Sequence, residues 1–115
     1  MVINGMGLLY HEPIKDMAQS KIKEHGVSYG LGEAGYDIRI KQEVWFSPKQ
    51  GIVVIDGAAY DGRFALASTI EEFDMPTSLV GIVHDKSTWA RKGLSVFNTL
   101  IENGWKGHLT LELVY

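Results

Sequence analysis

The sequence predicts a mainly β domain, a sandwich, jelly roll or barrel with one helix near its N-terminus. Three observations carry that expectation. Beyond Gly26, apolar and polar residues alternate with a period of two. The β-rich runs are short and separated by turn dipeptides, and 13 glycines suit many tight turns better than a helical bundle. At 115 residues the chain can bury one core but not two.

The helix is expected first. Pro13 suits an opening helical position, Ile14, Met17, Ala18 and Ile22 recur at helical spacing, and Gly26 offers a left-handed stop. Lys15, Lys21 and Lys23 then form its solvated face. Next, Tyr36, Ile38 and Ile40 alternate with Asp37, Arg39 and Lys41, the mark of a half-buried strand. Further strands are expected at Glu43–Phe46, Ile52–Ile55, Phe64–Ser68, Leu79–His84, Leu94–Phe97 and His108–Val114. Turns are expected at Ser47-Pro48, Asp56-Gly57, Asp61-Gly62, Met75-Pro76 and Asn103-Gly104.

No repeat or linker divides the chain, so residues 1–115 read as a single domain. The last strand alternates up to Tyr115 and then stops without a turn residue or polar tail. A strand broken off in mid-pattern leaves an apolar edge unpaired, so the natural protein is expected to continue, this chain lacking a C-terminal portion.

Composition narrows the function. Hydrophobic residues at 45% and charged ones at 22% describe an ordinary soluble protein. A net charge of -3 and a pI near 5.7 argue against a nucleic-acid or anionic membrane partner. With no apolar run near ~20 residues and no basic-then-apolar leader, a cytoplasmic location is expected. The absence of cysteine excludes a disulfide scaffold and a thiolate zinc site, and with it the usual zinc-dependent cytidine deaminase.

Four clusters can carry chemistry. In His84–Gly93 a hydroxyl at Ser87 can cap a turn or short helix, Gly93 can end it, and Lys86, Arg91 and Lys92 surround the free N–H groups. That is a means of holding a phosphate chain, although composition alone favours a capped surface turn with basic side chains. In the last strand His108, Thr110, Glu112 and Val114 share one face. Glu112 on a partly closed face can shuttle protons, while a solvent-facing glutamate is the plainer reading. Between Asn98 and Gly107, Glu102 precedes a turn and Trp105 either walls a site or plugs the core. The glycine-rich Gly30–Asp37 stretch lacks the strand–helix setting of a dinucleotide loop. His11, His25, His84 and His108 have no metal-ligand spacing and read as structural or surface residues.

Taken in order, these pieces resemble a known family. The residues concerned are Ala34-Gly-Tyr-Asp-Ile-Arg39, Phe64-Ala-Leu-Ala-Ser-Thr69, Lys86-Ser-Thr-Trp-Ala-Arg-Lys-Gly-Leu94, Asn98-Thr99, Glu102, Gly104-Trp-Lys-Gly107 and Leu109-Thr-Leu-Glu-Leu113. They are similar to the dCTP deaminases, which share a fold with the trimeric dUTPases. The resemblance runs from about Ser28 to the end. It implies a dUTPase-like distorted β-barrel or jelly roll, a homotrimer with sites between subunits, and hydrolytic deamination of dCTP to dUTP. Two features favour deamination over pyrophosphate release: Arg91 follows Ala90, and Glu112 stands where the deaminases carry their general base.

The residue roles that follow are those of the family. Glu112 would be the base, Ser87 would help position the water with a backbone carbonyl just after Thr99, and Arg91 would hold Glu112 or stabilise developing charge. Lys86 and Thr88 would contact the triphosphate, with Mg2+ bridging its oxygens. Glu102 would lie near the sugar and base, and Thr99 and Thr110 would also bind the substrate. Lys86 replaces an arginine common in the family, keeping the charge but not the bidentate fork. Glu102-Asn-Gly-Trp105 replaces the Asp-Pro-Gly-Trp turn of some bacterial members, and the leader before Ser28 diverges as in a phage-type member. A dUTP diphosphatase, a bifunctional enzyme forming dUMP, and a non-catalytic nucleotide-binding trimer remain as alternatives.

Overall fold

The computed structural model describes residues 1–41, 43–55 and 58–115, and within 47–62 only the backbone of the paired strands. The chain begins with α1, Gly5–His11. The Asn4 side chain accepts the Gly7 N–H at 3.2 Å and caps the helix. Glu12 closes it in the left-handed conformation (φ 48), its N–H donating to Leu8 O at 2.9 Å. Pro13 then bars continuation, so it follows a helix instead of opening one.

The helix expected over 13–26 is therefore absent. Ile14 makes a bridge to Phe73, and β1 (Lys21–Glu24) pairs antiparallel with β2 (Val27–Leu31). His25 (φ 52) and Gly26 (φ 80) form the two-residue link between them. Positive φ at both positions is what a tight hairpin requires, and it draws on the same glycine that can end a helix. The lysines are exposed as expected, but on a hairpin and a loop.

β3 is only Tyr36–Asp37, paired to β2, and Ile40 makes an isolated bridge to Thr69. The alternation still reports burial, because Tyr36, Ile38 and Ile40 pack on the core. The strand expected at Glu43–Phe46 does not form, although Val44 and Phe46 also pack on the core.

The principal sheet contains β4 (Ser47–Ile55), β5 (Ala58–Asp74), β7 (Ser95–Val96) and β9 (Lys106–Val114), in the order β4-β5-β9-β7. Ser47-Pro48 and Asp61-Gly62, expected as turns, lie inside the paired strands. The register shifts between Pro48 and Ile52, opposite Gly62, and proline on an edge strand or glycine at a bulge marks just such a place. The Asp56-Gly57 turn lies outside the described residues. The turns after Met75-Pro76 and at Asn103-Gly104 form as expected.

β6 (Gly81–Ile82) pairs with β8 (Leu100–Ile101), and α2, Ser87–Ala90, is a single turn between β6 and β7. Ala67, Phe73, Met75, Leu111 and Leu113 form the core with Ile14, Val83 and Ile101. The architecture is mainly β, consistent with a dUTPase-like fold. Among the described residues the strands form separate sheets of three, four and two and do not close into a barrel.

Candidate active site

The site is built on β9. Its alternation sends Leu111 and Leu113 into the core, 5% and 3% exposed, so Thr110 and Glu112 must point the other way. On that side a cleft of about 370 Å³ is lined by Thr99, Leu100, Ile101, Glu102, Trp105, His108, Leu109, Thr110 and Glu112. β8, β9 and the residues flanking the Asn103-Gly104 turn thus form its wall.

Glu112 is its chemical focus. Oε2 is buried and, among the described residues, has no hydrogen-bond partner. A buried carboxylate oxygen without a donor costs free energy, so it marks a place that a water or ligand would complete. The backbone around it is held, since the Phe97 N–H donates to Glu112 O at 2.9 Å.

Trp105 lines the cleft, which decides between the two readings of the sequence: it is a wall and not a core plug. Its ring lies against Gly107, which adopts a φ of 138 that residues with side chains rarely take.

Of the residues expected at the site, Thr99, Glu102, Thr110 and Glu112 share the cleft. Lys86, Ser87, Thr88 and Arg91 do not line it. Ser87, Thr88 and Arg91 sit exposed on or beside α2, whose N-cap is Lys86, with no side-chain cap bond. The Ser87 hydroxyl is therefore not the cap expected of it; it has moved one residue inside the turn. Gly93 ends the turn as expected, at φ 91.

Lys86 is engaged elsewhere. Its Nζ contacts the Asp37 carboxylate and donates to Ser28 Oγ at 3.1 Å, while Lys21 Nζ lies 3.5 Å from the same carboxylate. Asp37 thus draws the basic turn toward β2 and β3.

The alanine-glycine-tyrosine-aspartate stretch also leads to an ion pair between a half-buried arginine and a buried glutamate. Glu71, 5% exposed, accepts from the Arg39 backbone N–H at 2.6 Å and from Arg39 Nε at 2.8 Å. Burial works against the guanidinium charge, but the hydrogen bond and charge of Glu71 outweigh it and raise the Arg39 pKa. The guanidinium also stacks 3.8 Å above the Tyr29 ring.

Sequence reasoning set aside His108, which lines the cleft and hydrogen-bonds the backbone of β5. Its place on the Thr110–Glu112 face was the available signal; the backbone partners on another strand were not. Among the described residues no group of three or more His, Asp or Glu side chains can hold a metal ion, and no helix is long and apolar enough to cross a membrane.

A concave site with an aromatic wall, hydroxyls and an unpartnered carboxylate on a β frame has the make-up of a small-molecule pocket. The dCTP deaminase-like family model matches residues 49–114, more than half of the chain. The chain is 36% identical over 116 residues to a dCTP deaminase of Campylobacter curvus, covering 87% of this chain and 62% of that protein. To the dCTP deaminase of Campylobacter jejuni it is 36% identical over 121 residues (91% and 65%), and to that of Erythrobacter litoralis 34% over 115 residues (86% and 62%). The chain belongs to the dCTP deaminase-like family. It spans somewhat less than two thirds of the length of these relatives.

Proposed function

We propose that this protein deaminates dCTP by hydrolysis, releasing dUTP and ammonia, with Glu112 as general base. The observation that carries this reading is the buried Glu112 Oε2, unpartnered on the cleft. A carboxylate there can take a proton from a water attacking C4 of cytosine. The protonated acid then serves ring N3 and the departing amino group. One water enters, the C4–N bond breaks, and ammonia leaves.

Ser87 positions that water, and Arg91 holds Glu112 or stabilises charge in the tetrahedral intermediate. Lys86 and Thr88 contact the triphosphate, which arrives with its Mg2+, and Thr99, Glu102 and Thr110 line the sugar and base. The α2 residues lie outside the cleft of their own chain, which fits a homotrimer whose sites form between subunits. The exposure of Leu66, Ile82 and Leu100, each above half, supports such an assembly, since side chains of this kind gain by being covered. The setting is pyrimidine deoxynucleotide metabolism in the cytoplasm.

Glu102 on the same cleft supports a second reading, a bifunctional enzyme that also activates a water at the α-phosphate and forms dUMP. Product analysis from dCTP and dUTP separates the two. The test of the principal reading is Glu112→Gln in the full-length protein with Mg2+ and dCTP. Ammonia release should fall by about 10²–10⁴-fold while nucleotide affinity is kept. Undiminished turnover removes Glu112 from the mechanism.

A further inference from the structure

We propose that His108 is a positioning residue: its Nδ1–H clamps a bulge in β5 and so sets where Glu112 stands along the cleft. This rests on the reading of Glu112 as the base.

Between the pairs Ser68↔Thr110 and Glu72↔His108 the register shifts, so that residues 69–71 of β5 stand opposite Leu109 alone. Such a mismatch removes ladder partners from the backbone groups around it. On the β9 side, side chains supply partners for three of them. The Leu109 N–H donates to Thr69 Oγ1 at 3.0 Å, and that hydroxyl donates to Glu71 O at 2.7 Å. His108 Nδ1 faces two carbonyl oxygens, Thr69 O at 3.0 Å and Glu71 O at 3.1 Å. Carbonyl oxygens only accept, so Nδ1 must carry a hydrogen, and the neutral ring is the Nδ1–H tautomer.

The other side of the bulge is held too. The Lys41 N–H donates to Ser68 O at 2.8 Å and the Ile70 N–H to Arg39 O at 2.9 Å. The bulge is thus fixed between the Arg39 segment and β9, with His108 as the β9 side chain that grips it.

Its position makes it matter for chemistry. The mismatch falls between His108 and Thr110, at the middle of the cleft wall, with Glu102 and Trp105 preceding it in sequence and Glu112 following. A bulge bends its strand and re-aims the side chains beyond it. Losing the Nδ1–H donor would let the strands relax at that point and shift the base relative to the far end of the cleft. Displacement of a reacting group costs turnover more than binding.

The experiment uses the full-length protein with dCTP and Mg2+. His108→Gln, which carries its amide at the Nε2 position, should lower kcat by at least about tenfold with KM within about threefold. His108→Asn places an N–H where Nδ1 stands and should restore most of kcat. Ring ¹⁵N spectra of the wild type should give the Nδ1–H tautomer, and the Leu109 amide should exchange faster in His108→Gln than in His108→Asn. An Nε2–H tautomer, or wild-type kcat in His108→Gln, overturns the proposal, as does a uniform loss in both variants. If the wild type releases no ammonia, it is the reading of Glu112 that fails. The tautomer and the Leu109 exchange then still decide whether His108 clamps the bulge.

Discussion

Thr69→Val isolates what a single hydroxyl does in this fold. Thr69 is fully buried, at 0% exposure, and valine nearly matches its shape, so the substitution changes hydrogen bonding and little else. The hydroxyl accepts from the Leu109 N–H at 3.0 Å and donates to Glu71 O at 2.7 Å. Without it the Leu109 N–H has no acceptor, a penalty of about 1–3 kcal/mol for a buried donor. Glu71 O keeps His108 Nδ1 at 3.1 Å, so its loss is smaller. The expected sum is about 2 kcal/mol, or a fall in Tm of about 8 °C for a domain of this size. Thr69→Ser keeps the hydroxyl and loses one methyl, costing about 1 kcal/mol. Urea denaturation at fixed protein concentration should therefore rank the wild type above Thr69→Ser and Thr69→Ser above Thr69→Val, with the m-value unchanged. A valine variant as stable as the serine variant would refute the role given to the hydroxyl.

Two further predictions concern stability. The Lys15–Glu72 hydrogen bond, at 3.0 Å, lowers the Glu72 pKa and raises that of Lys15. A lowered carboxylate pKa means that the unfolded chain binds more protons, so this contribution is present above the ordinary glutamate range and fades as pH falls through the folded-state value. The raised Lys15 pKa makes the same contribution fade at the alkaline end, as pH climbs through its folded-state value. Glu72→Gln should flatten both limbs in denaturation measured across pH; an unchanged acid limb would show that the pair contributes nothing. Leu111→Ala removes a core side chain that is 5% exposed, and should cost about 2–5 kcal/mol by chemical denaturation. A loss below about 1 kcal/mol would mean that the site collapses around the cavity.

The sequence was most legible where a pattern reports burial, and least where one residue type serves two backbone tasks. Period-two alternation placed Leu109, Leu111 and Leu113 opposite Thr110 and Glu112, and the strand formed accordingly. Alternation also marked Tyr36, Ile38 and Ile40 as core-facing, although only Tyr36–Asp37 pairs as a strand. Pro13 and Gly26 misled, because proline both begins and follows helices while a left-handed glycine closes a helix or a hairpin equally well. The i, i+3, i+4 apolar spacing over Ile14–Ile22 was too sparse to decide between them. Pro48 and Gly62 misled for a related reason: both mark turns, and both are tolerated where a strand register slips.

Local chemistry in the chain was enough to establish that the protein is β-rich, that Glu112 stands on the polar face of its last strand, and that the turn at Lys86–Gly93 is basic. Those properties depend on neighbours in sequence. The tertiary structure alone decided that Thr99, Glu102, Thr110 and Glu112 meet in one cleft, that Lys86 turns to Asp37, and that His108 and Thr69 repair a mismatch between β5 and β9. Each of these needs strands far apart in the chain to pair in one particular register. Register follows from how all the faces are buried together, which no local stretch of sequence specifies.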